Sequence, residues 1–413
     1  MKTIIIIGDG MADYPVPELD GRTPLMVAET PAMDRIAREG RTGLFLTIEE
    51  DMPTGSAVAN LSVLGYDPRS DFQGRGVLEA ASLGVTLAPT DMAARINLIC
   101  VEDGKIRSHS AGHITNEEAH QLIRDLNIHF HDLPITLVPG LSYRHVLVVP
   151  NGHPGVECAP PHDHVGERVQ DLLATPRHPQ AGPTADLLNR IILESQDVLR
   201  AHPINQQRVA EGKQPANSLW PWSPGVRPQM ATFQERFGIT GAVITAVDLI
   251  KGLGIYAGLD VIEVEGATGL YDTNYEGKAD ACLAALSDRD FVYVHVEAAD
   301  EAGHEQNLDL KIRCIEDLDR RLVQRVLDGL EARKIEAVVA VLPDHPTPVA
   351  HGKHVRDPVP VAVRDPRRLP DGVERFDEES VKEGELGHMR GAEFINFLLL
   401  TPYSLENTKK GKP

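Results

Sequence analysis

Three apolar runs in this chain stop at carboxylates, and two of them stop at histidines as well. Ile4–Ile7 runs into Gly8-Asp9-Gly10, Phe291–Val296 into Glu297-Ala298-Ala299-Asp300-Glu301-Ala302-Gly303-His304, and Ala337–Leu342 into Pro343-Asp344-His345, with His354 nine residues further on. Asp300 and His304 are one helical turn apart, so both can face one ion. Asp344 and His345 are adjacent and would point oppositely within a strand. Joint ligation therefore needs them just past the strand end, where Pro343 puts them. Carboxylate oxygens mixed with imidazole nitrogens suit Mn or Zn better than Ca or Mg. Ser56 follows the turn-rich segment Asp51-Met52-Pro53-Thr54-Gly55 and is read as the N-cap of a helix over Ala57–Leu64. A helix N-terminus holds anions, and a serine beside a divalent cation loses its proton more easily. A lone Asp-His pair or a lone capping serine would mean little. Their recurrence at strand ends predicts phosphoryl or sulfuryl transfer between two cations, with Ser56 as nucleophile.

Such a constellation needs a sheet whose strand ends share one edge. Continuous β-branched runs without polar alternation read as central parallel strands, and ligands bind at their carboxyl ends. Around them the spacing predicts a helix from Thr23-Pro24 through Arg38 and a strand over Thr42–Ile48. It also predicts a helix near Val77–Leu83, strands at Gly241–Ala246, Asp260–Val264 and Val359–Val363, one long helix over Leu308–Arg333 with a solvated charged face, and a last helix over 391–400. Between about Pro89 and Phe237 the texture changes: prolines and histidines become frequent and apolar runs short. Strands at Ala93–Val101, Ile135–Pro139 and His145–Pro150 and a helix over Thr184–His202 are expected there. Asn217–Pro228, with Trp220 and Trp222 as packing anchors, reads as too proline-rich for regular structure. The fold class expected is α/β, a mostly parallel sheet sandwiched by helices. Residues 1–88 and 238–405 form the core, 89–237 an inserted smaller α+β domain, and 406–413 a polar tail.

The composition narrows the partners. A net charge of −20 over 413 residues argues against nucleic acid, whose phosphates need Lys and Arg. No apolar run approaches the ~20 residues that span a bilayer. Four scattered cysteines without a CxxC, and no signal-like start, read as reduced thiols of a cytoplasmic protein. Nothing in the chain indicates an oligomeric state.

With these residues assembled, the chain resembles the alkaline phosphatase superfamily. More narrowly it resembles the cofactor-independent (2,3-bisphosphoglycerate-independent) phosphoglycerate mutases of the archaeal type. The matching stretches run in order along nearly the whole chain: Asp9–Asp13, Gly21–Leu25, Pro53–Ser56, Leu64–Pro68, Gly74–Ala80, Ala298–His304, Asp344–Pro348, and His354 with Asp357–Pro360. The resemblance implies an alkaline-phosphatase-like core and two divalent ions, manganese first with zinc or magnesium as alternatives. Asp9, Ser56, Asp344 and His345 would hold one ion; Asp300, His304 and His354 the other. It implies a transient phosphoserine at Ser56 and interconversion of 3- and 2-phosphoglycerate, small phosphorylated metabolites of glycolysis and gluconeogenesis. The inserted domain would close over the substrate. The chain departs from the family pattern at Ala57, where an acidic residue is usual, and at Arg107–Ile114, where an Arg-Arg-Ala-Gly-Arg run is replaced by Arg-Ser-His-Ser-Ala-Gly-His-Ile. Serine and histidine cannot copy a bidentate arginine clamp. That variant, with Asp272–Lys278 and Asn217–Trp222, resembles a sister group proposed to act as homoserine kinases in threonine biosynthesis. Simple phosphomonoester hydrolysis is a third alternative. Arg75, Arg95, Asn97, His113, Arg144 and Lys278 are candidates for binding the substrate anion or moving its protons. His162-Asp163-His164 has the look of a ligand run but is placed on a surface or substrate-side loop.

Overall fold

The computed structural model describes residues 1–400, so the expected tail at 406–413 and the end of the core at 405 lie outside the described residues. The chain divides into two compact units, one of residues 1–72 and 230 onward, the other of residues 73–229.

Among the described residues the larger unit is built on an eight-stranded sheet. Its strands lie in the order Asp260–Val261, Gly241–Ile244, Phe291–Val296, Lys2–Gly8, Ala337–Leu342, Val359–Arg364, Arg41–Leu46 and Gly387–Arg390. Val359–Arg364 runs antiparallel to both of its neighbours and every other pairing is parallel. The strands Phe291–Val296, Lys2–Gly8 and Ala337–Leu342 are central and adjacent. Ile4 to Ile7 are fully buried, as an unbroken β-branched run requires. Helices Pro31–Arg38, Tyr275–Ala285, Leu308–Asp317 and Gln324–Arg333 share one apolar core with this sheet. The α/β class is thus seen directly.

Three local expectations need correction. The stretch from Thr23 to Arg38 is two helices, Pro24–Val27 and Pro31–Arg38. Pro31 has no N–H to continue the first, and Thr23 caps only that first helix, accepting from the Met26 N–H at 3.1 Å. The run Leu308–Arg333 stays helical, but Leu318–Val323 widens into a π-helical turn. There the Asp319 carboxylate accepts the Ala32 and Met33 N–H groups of Pro31–Arg38 at 3.1 and 2.7 Å. The last helix is Glu393–Leu399, shorter at both ends than expected.

The smaller unit is α+β. Its long strand Met92–Glu102 pairs antiparallel with Arg144–Val149, Ser218–Val226 and Lys105–Ser108. Helices Asn116–His129 and Gly182–Ala201 contribute buried faces to its core. The segment expected to be irregular, Asn217–Pro228, contains the strand Ser218–Val226. Among the described residues it pairs with Met92–Glu102 alone, and an edge strand tolerates prolines whose missing N–H groups face away from the ladder. The division falls at residue 73 rather than 89 because helix Arg75–Ser82 packs on Met92–Glu102 and Ser218–Val226. Gly76 makes that approach possible, since a Cβ there would lie 2.5 Å from Ala94 Cα. At the other end it falls at 230 rather than 238, since Phe233 stacks on Phe291 of the larger unit's sheet.

Candidate active site

The three central strands end level with one another. Ile7 is in register with His295 on one side and Leu342 on the other, and the Asp9 N–H reaches Val296 O at 2.9 Å. Asp9, Asp344 and His345 therefore emerge side by side, all fully buried. Gly10 follows with φ +61°, and a Cβ there would lie 2.4 Å from Asp300 Oδ1, so only glycine fits between the two carboxylates. Gly55, also at positive φ, is the N-cap of helix Ser56–Val63. Ser56 is thus the first helical residue and not the cap, and its hydroxyl is free of capping duty.

Ser56 Oγ lies 3.2 Å from His345 Nε2. The same nitrogen is 3.6 Å from Asp9 Oδ1 and 3.6 Å from Asp344 Oδ2. Three oxygens, from Ser56, Asp9 and Asp344, thus lie within 3.6 Å of one imidazole nitrogen. Their tautomers and orientations are set from behind. Thr347 O–H donates to Asp300 Oδ1, which leaves Thr347 Oγ1 to accept from His345 Nδ1 at 3.3 Å and Nε2 to present a lone pair. Burial pushes the His345 imidazole below its ordinary pKa, so it is neutral. Asp344 is fixed by the N–H groups of Gly10 and His345 and by Asn60 Nδ2, at 3.2, 2.9 and 2.8 Å. Asn60 in turn accepts from the Tyr293 hydroxyl. Asp9 is different: both of its oxygens are buried without a hydrogen-bond partner. Burial, and then Asp344, Asp300 and Glu297, push its carboxyl well above the usual range. Clustered carboxylates of this kind call for a countercharge, and a divalent cation supplies one.

A second donor group adjoins the first. Asp300 Oδ2 is 3.1 Å from His304 Nε2, Asp300 Oδ1 is 3.4 Å from His354 Nε2, and the two imidazole nitrogens are 3.0 Å apart. The i,i+4 spacing on helix Ala298–His304 brings Asp300 and His304 to one side, as expected. Gly352 O accepts from His304 Nδ1 at 2.8 Å, which again aims Nε2 inward. Burial raises the Asp300 carboxyl, but hydrogen bonds from His304 and His354 outweigh it and hold the group well below its usual range. The Asp300 hydrogen bond pushes His304 up to about 9. Asp9, Asp300 and His345 place donor atoms within 4.8 Å of one another, so the two groups share a border. His295 is absent from the ligand set expected from sequence, yet its side chain joins Asp9 and Asp344 in a further cluster of the same compactness. The available signal was one imidazole inside an otherwise buried apolar strand.

The model of the 2,3-bisphosphoglycerate-independent phosphoglycerate mutase family matches residues 37–205. A protein of that name from Methanosarcina acetivorans is 52% identical over 401 residues, covering 97% of this chain and 100% of the relative. The chain belongs to the 2,3-bisphosphoglycerate-independent phosphoglycerate mutase family. Its members are, by name, isomerases. A solved Pyrococcus horikoshii protein superposes with a TM-score of 0.83 at 31% identity, covering 100% of this chain and 98% of the other. The cofactor-independent phosphoglycerate mutase of Thermoplasma acidophilum superposes with 0.66 at 30% identity, covering 96% and 99%.

The weaker candidates of this mutase-family chain are distributed as follows. In the smaller unit, Arg75 and Arg95 place guanidinium carbons 6.0 and 4.9 Å from the Trp222 ring centre, and Trp222 Nε1 donates to Asn97 Oδ1 at 3.0 Å. Arg95 also pairs with Glu79 at 2.9 Å. The His109 and His113 rings both meet Tyr143, at 5.8 and 5.9 Å, and Arg144 lies over the same ring. His162 packs edge-on against Trp222 and His164 pairs with Glu167, so the His162–His164 run does not converge on one point. Trp220 and Trp222 are buried, as packing anchors are. Lys278, in the larger unit, is buried and donates to His295 O at 3.0 Å. The four cysteines are free thiols. Among the described residues no helix is long and apolar enough to cross a membrane.

Proposed function

We propose that this chain is a divalent-metal-dependent phosphoglycerate mutase that moves a phosphoryl group between the 3- and 2-hydroxyls of glycerate through a phosphorylated Ser56. The observation that carries the reading is Ser56 Oγ at 3.2 Å from the lone-pair nitrogen of a neutral His345, with Asp9 and Asp344 beside it. The proposed ligands are Asp9, Ser56, Asp344 and His345 for one ion and Asp300, His304 and His354 for the other. Manganese is the first choice because each group mixes oxygen and imidazole donors. Bound cations would lower the pKa of the Ser56 hydroxyl and offset charge on the phosphoryl oxygens. Ser56 Oγ forms a bond to phosphorus as the bond to the 3-oxygen breaks; the 2-hydroxyl then attacks phosphorus and Oγ leaves. The proton that Ser56 loses ends on the departing 3-oxygen, and the 2-hydroxyl's proton ends on Oγ as it leaves. The first-turn amides of helix Ser56–Val63 suit the negative charge of the phosphoester. Arg75, Arg95, Asn97, His113 and Arg144 are proposed to read the substrate's anionic groups, and the setting is proposed as cytoplasmic glycolysis.

A second reading rests on residues 107–114, where His109 and His113 flank Tyr143 in place of an arginine clamp. It keeps the same nucleophile and makes homoserine the acceptor. The manganese-loaded protein should interconvert 3- and 2-phosphoglycerate without added bisphosphoglycerate. ATP-dependent phosphorylation of homoserine without mutase turnover would replace the first reading by the second, and release of free phosphate alone would leave a phosphomonoesterase.

A further inference from the structure

His295 breaks the apolar run of strand Phe291–Val296 and is fully enclosed. Its Nε2 stands 3.1 Å from Asp9 Oδ2, while Asp9 Oδ1 faces His345 Nε2 on the opposite side of the carboxylate group. The His295 contact is within hydrogen-bonding distance but out of line, and Nε2 has no other partner. The far side of the ring decides which nitrogen carries the proton. Nδ1 is 3.4 Å from Thr245 Oγ1, and Thr245 Oγ1 already accepts the Val247 N–H at 3.1 Å. With that lone pair engaged, the Thr245 hydroxyl is placed to donate to Nδ1. The proton of the neutral ring then sits on Nε2, toward Asp9. Lys278, donating to His295 O, pins the backbone that carries the ring.

A carboxylate that uses one oxygen for a cation commonly has the other held by a hydrogen-bond donor, and losing such a donor weakens metal binding. Leaving Oδ2 and Nε2 both orphaned would cost each its desolvation. A small turn of the Asp9 carboxylate brings Oδ2 into line with Nε2–H and leaves Oδ1 on the Ser56 side. We propose that His295 is a positioning residue, oriented by Thr245, that holds Oδ2 of Asp9 so that Oδ1 stays directed at the donor group of Ser56, Asp344 and His345. The inference rests on the two-cation reading above.

The test is manganese binding to the full chain, followed by titration calorimetry and by elemental analysis after dialysis. The wild type should hold two ions. His295→Ala should weaken one of them by about 10- to 100-fold and leave the other unchanged. His295→Asn, whose amide can donate to Oδ2, should recover most of that loss, and Thr245→Val should lose a few-fold. A merely structural role would move metal-free melting equally in the alanine and asparagine variants, without this selectivity for one ion. Two ions bound with wild-type affinity in His295→Ala would overturn the proposal. So would three ions in the wild type and two in the variant, because His295 would then be a ligand itself. A wild type that binds no manganese would instead remove the two-cation reading underneath.

Discussion

The two donor groups of the site differ in how they meet solvent. Asp9, Asp344 and His345 are fully enclosed and Ser56 nearly so. In the other group Asp300 is buried, but His354 is half-buried and His304 exposed. In the enclosed group burial, and then the carboxylates of Asp344, Asp300 and Glu297, push Asp9 up. The open group compensates itself: Asp300 is held down and His304 is pushed up to about 9, so at neutral pH a proton already sits between them. A cation at the enclosed group would displace the proton that the raised Asp9 carboxyl favours, and burial leaves it no direct path to solvent. A cation at the open group must compete with the proton between Asp300 and His304. Under the two-cation proposal, the difference in burial predicts slow exchange on the nucleophile's side and faster, pH-sensitive exchange at the other.

Mutation and titration test that assignment group by group. The largest effect is expected from Ser56→Ala, which should lower mutase turnover by at least about a thousandfold and abolish the acid-stable phosphoenzyme. Labelled protein persisting in this variant would move the nucleophile elsewhere. Asp9→Asn should leave the fold intact, as judged by circular dichroism, yet remove the slowly exchanging ion and cost more than about a hundredfold in activity. If both ions remain, the enclosed group has been misassigned. His304→Ala should weaken only the exchangeable ion, and excess manganese should largely restore activity. In the unmodified chain, chelation should strip that ion first, and its affinity should fall roughly tenfold per pH unit from about 9 downward as His304 takes up its proton. The metal-free chain should show the opposite linkage: the raised His304 pKa adds stability at low pH, to be lost as pH rises through about 9. The smallest effect lies away from the site. Burial pushes Asp319 up to about 6 despite donation from Met33 and Ala32. The folded chain therefore holds a proton that the unfolded chain releases, and stability should decline between about pH 4 and 6, by ~3 kcal/mol at most. Urea unfolding of Asp319→Asn should lack that slope while metal binding is unchanged.

Much of this architecture is written in local patterns. Ile4–Ile7 and Val338–Leu342 are unbroken apolar runs and Phe291–Val296 is interrupted by His295 alone, so all three read as buried strands, and a parallel sheet aligns the residues just past their ends. That is why Asp9, Asp300, Asp344 and His345 are legible as neighbours from the sequence. The i,i+4 spacing of Asp300 and His304 is legible for the same reason, because helical periodicity is a local property. The strand Ser218–Val226 is not, since proline content forecasts a loop and only an edge position makes the missing N–H groups harmless. Ser56 as first helical residue depends on one glycine's backbone angle.

Sequence alone dictates the donor chemistry: which residue types stand at which strand ends, and hence an acid–imidazole site beside a serine. How those donors are held is a matter of tertiary contacts. They set the tautomer of His345 through Thr347, bring Asn60 onto Asp344, and place His295 against the far oxygen of Asp9. These contacts join residues 2, 284 and 286 positions apart in the chain. Strand pairing is forecast by apolar pattern, but the direction of a ring nitrogen depends on how one hydroxyl is brought round to it, and no local periodicity records that.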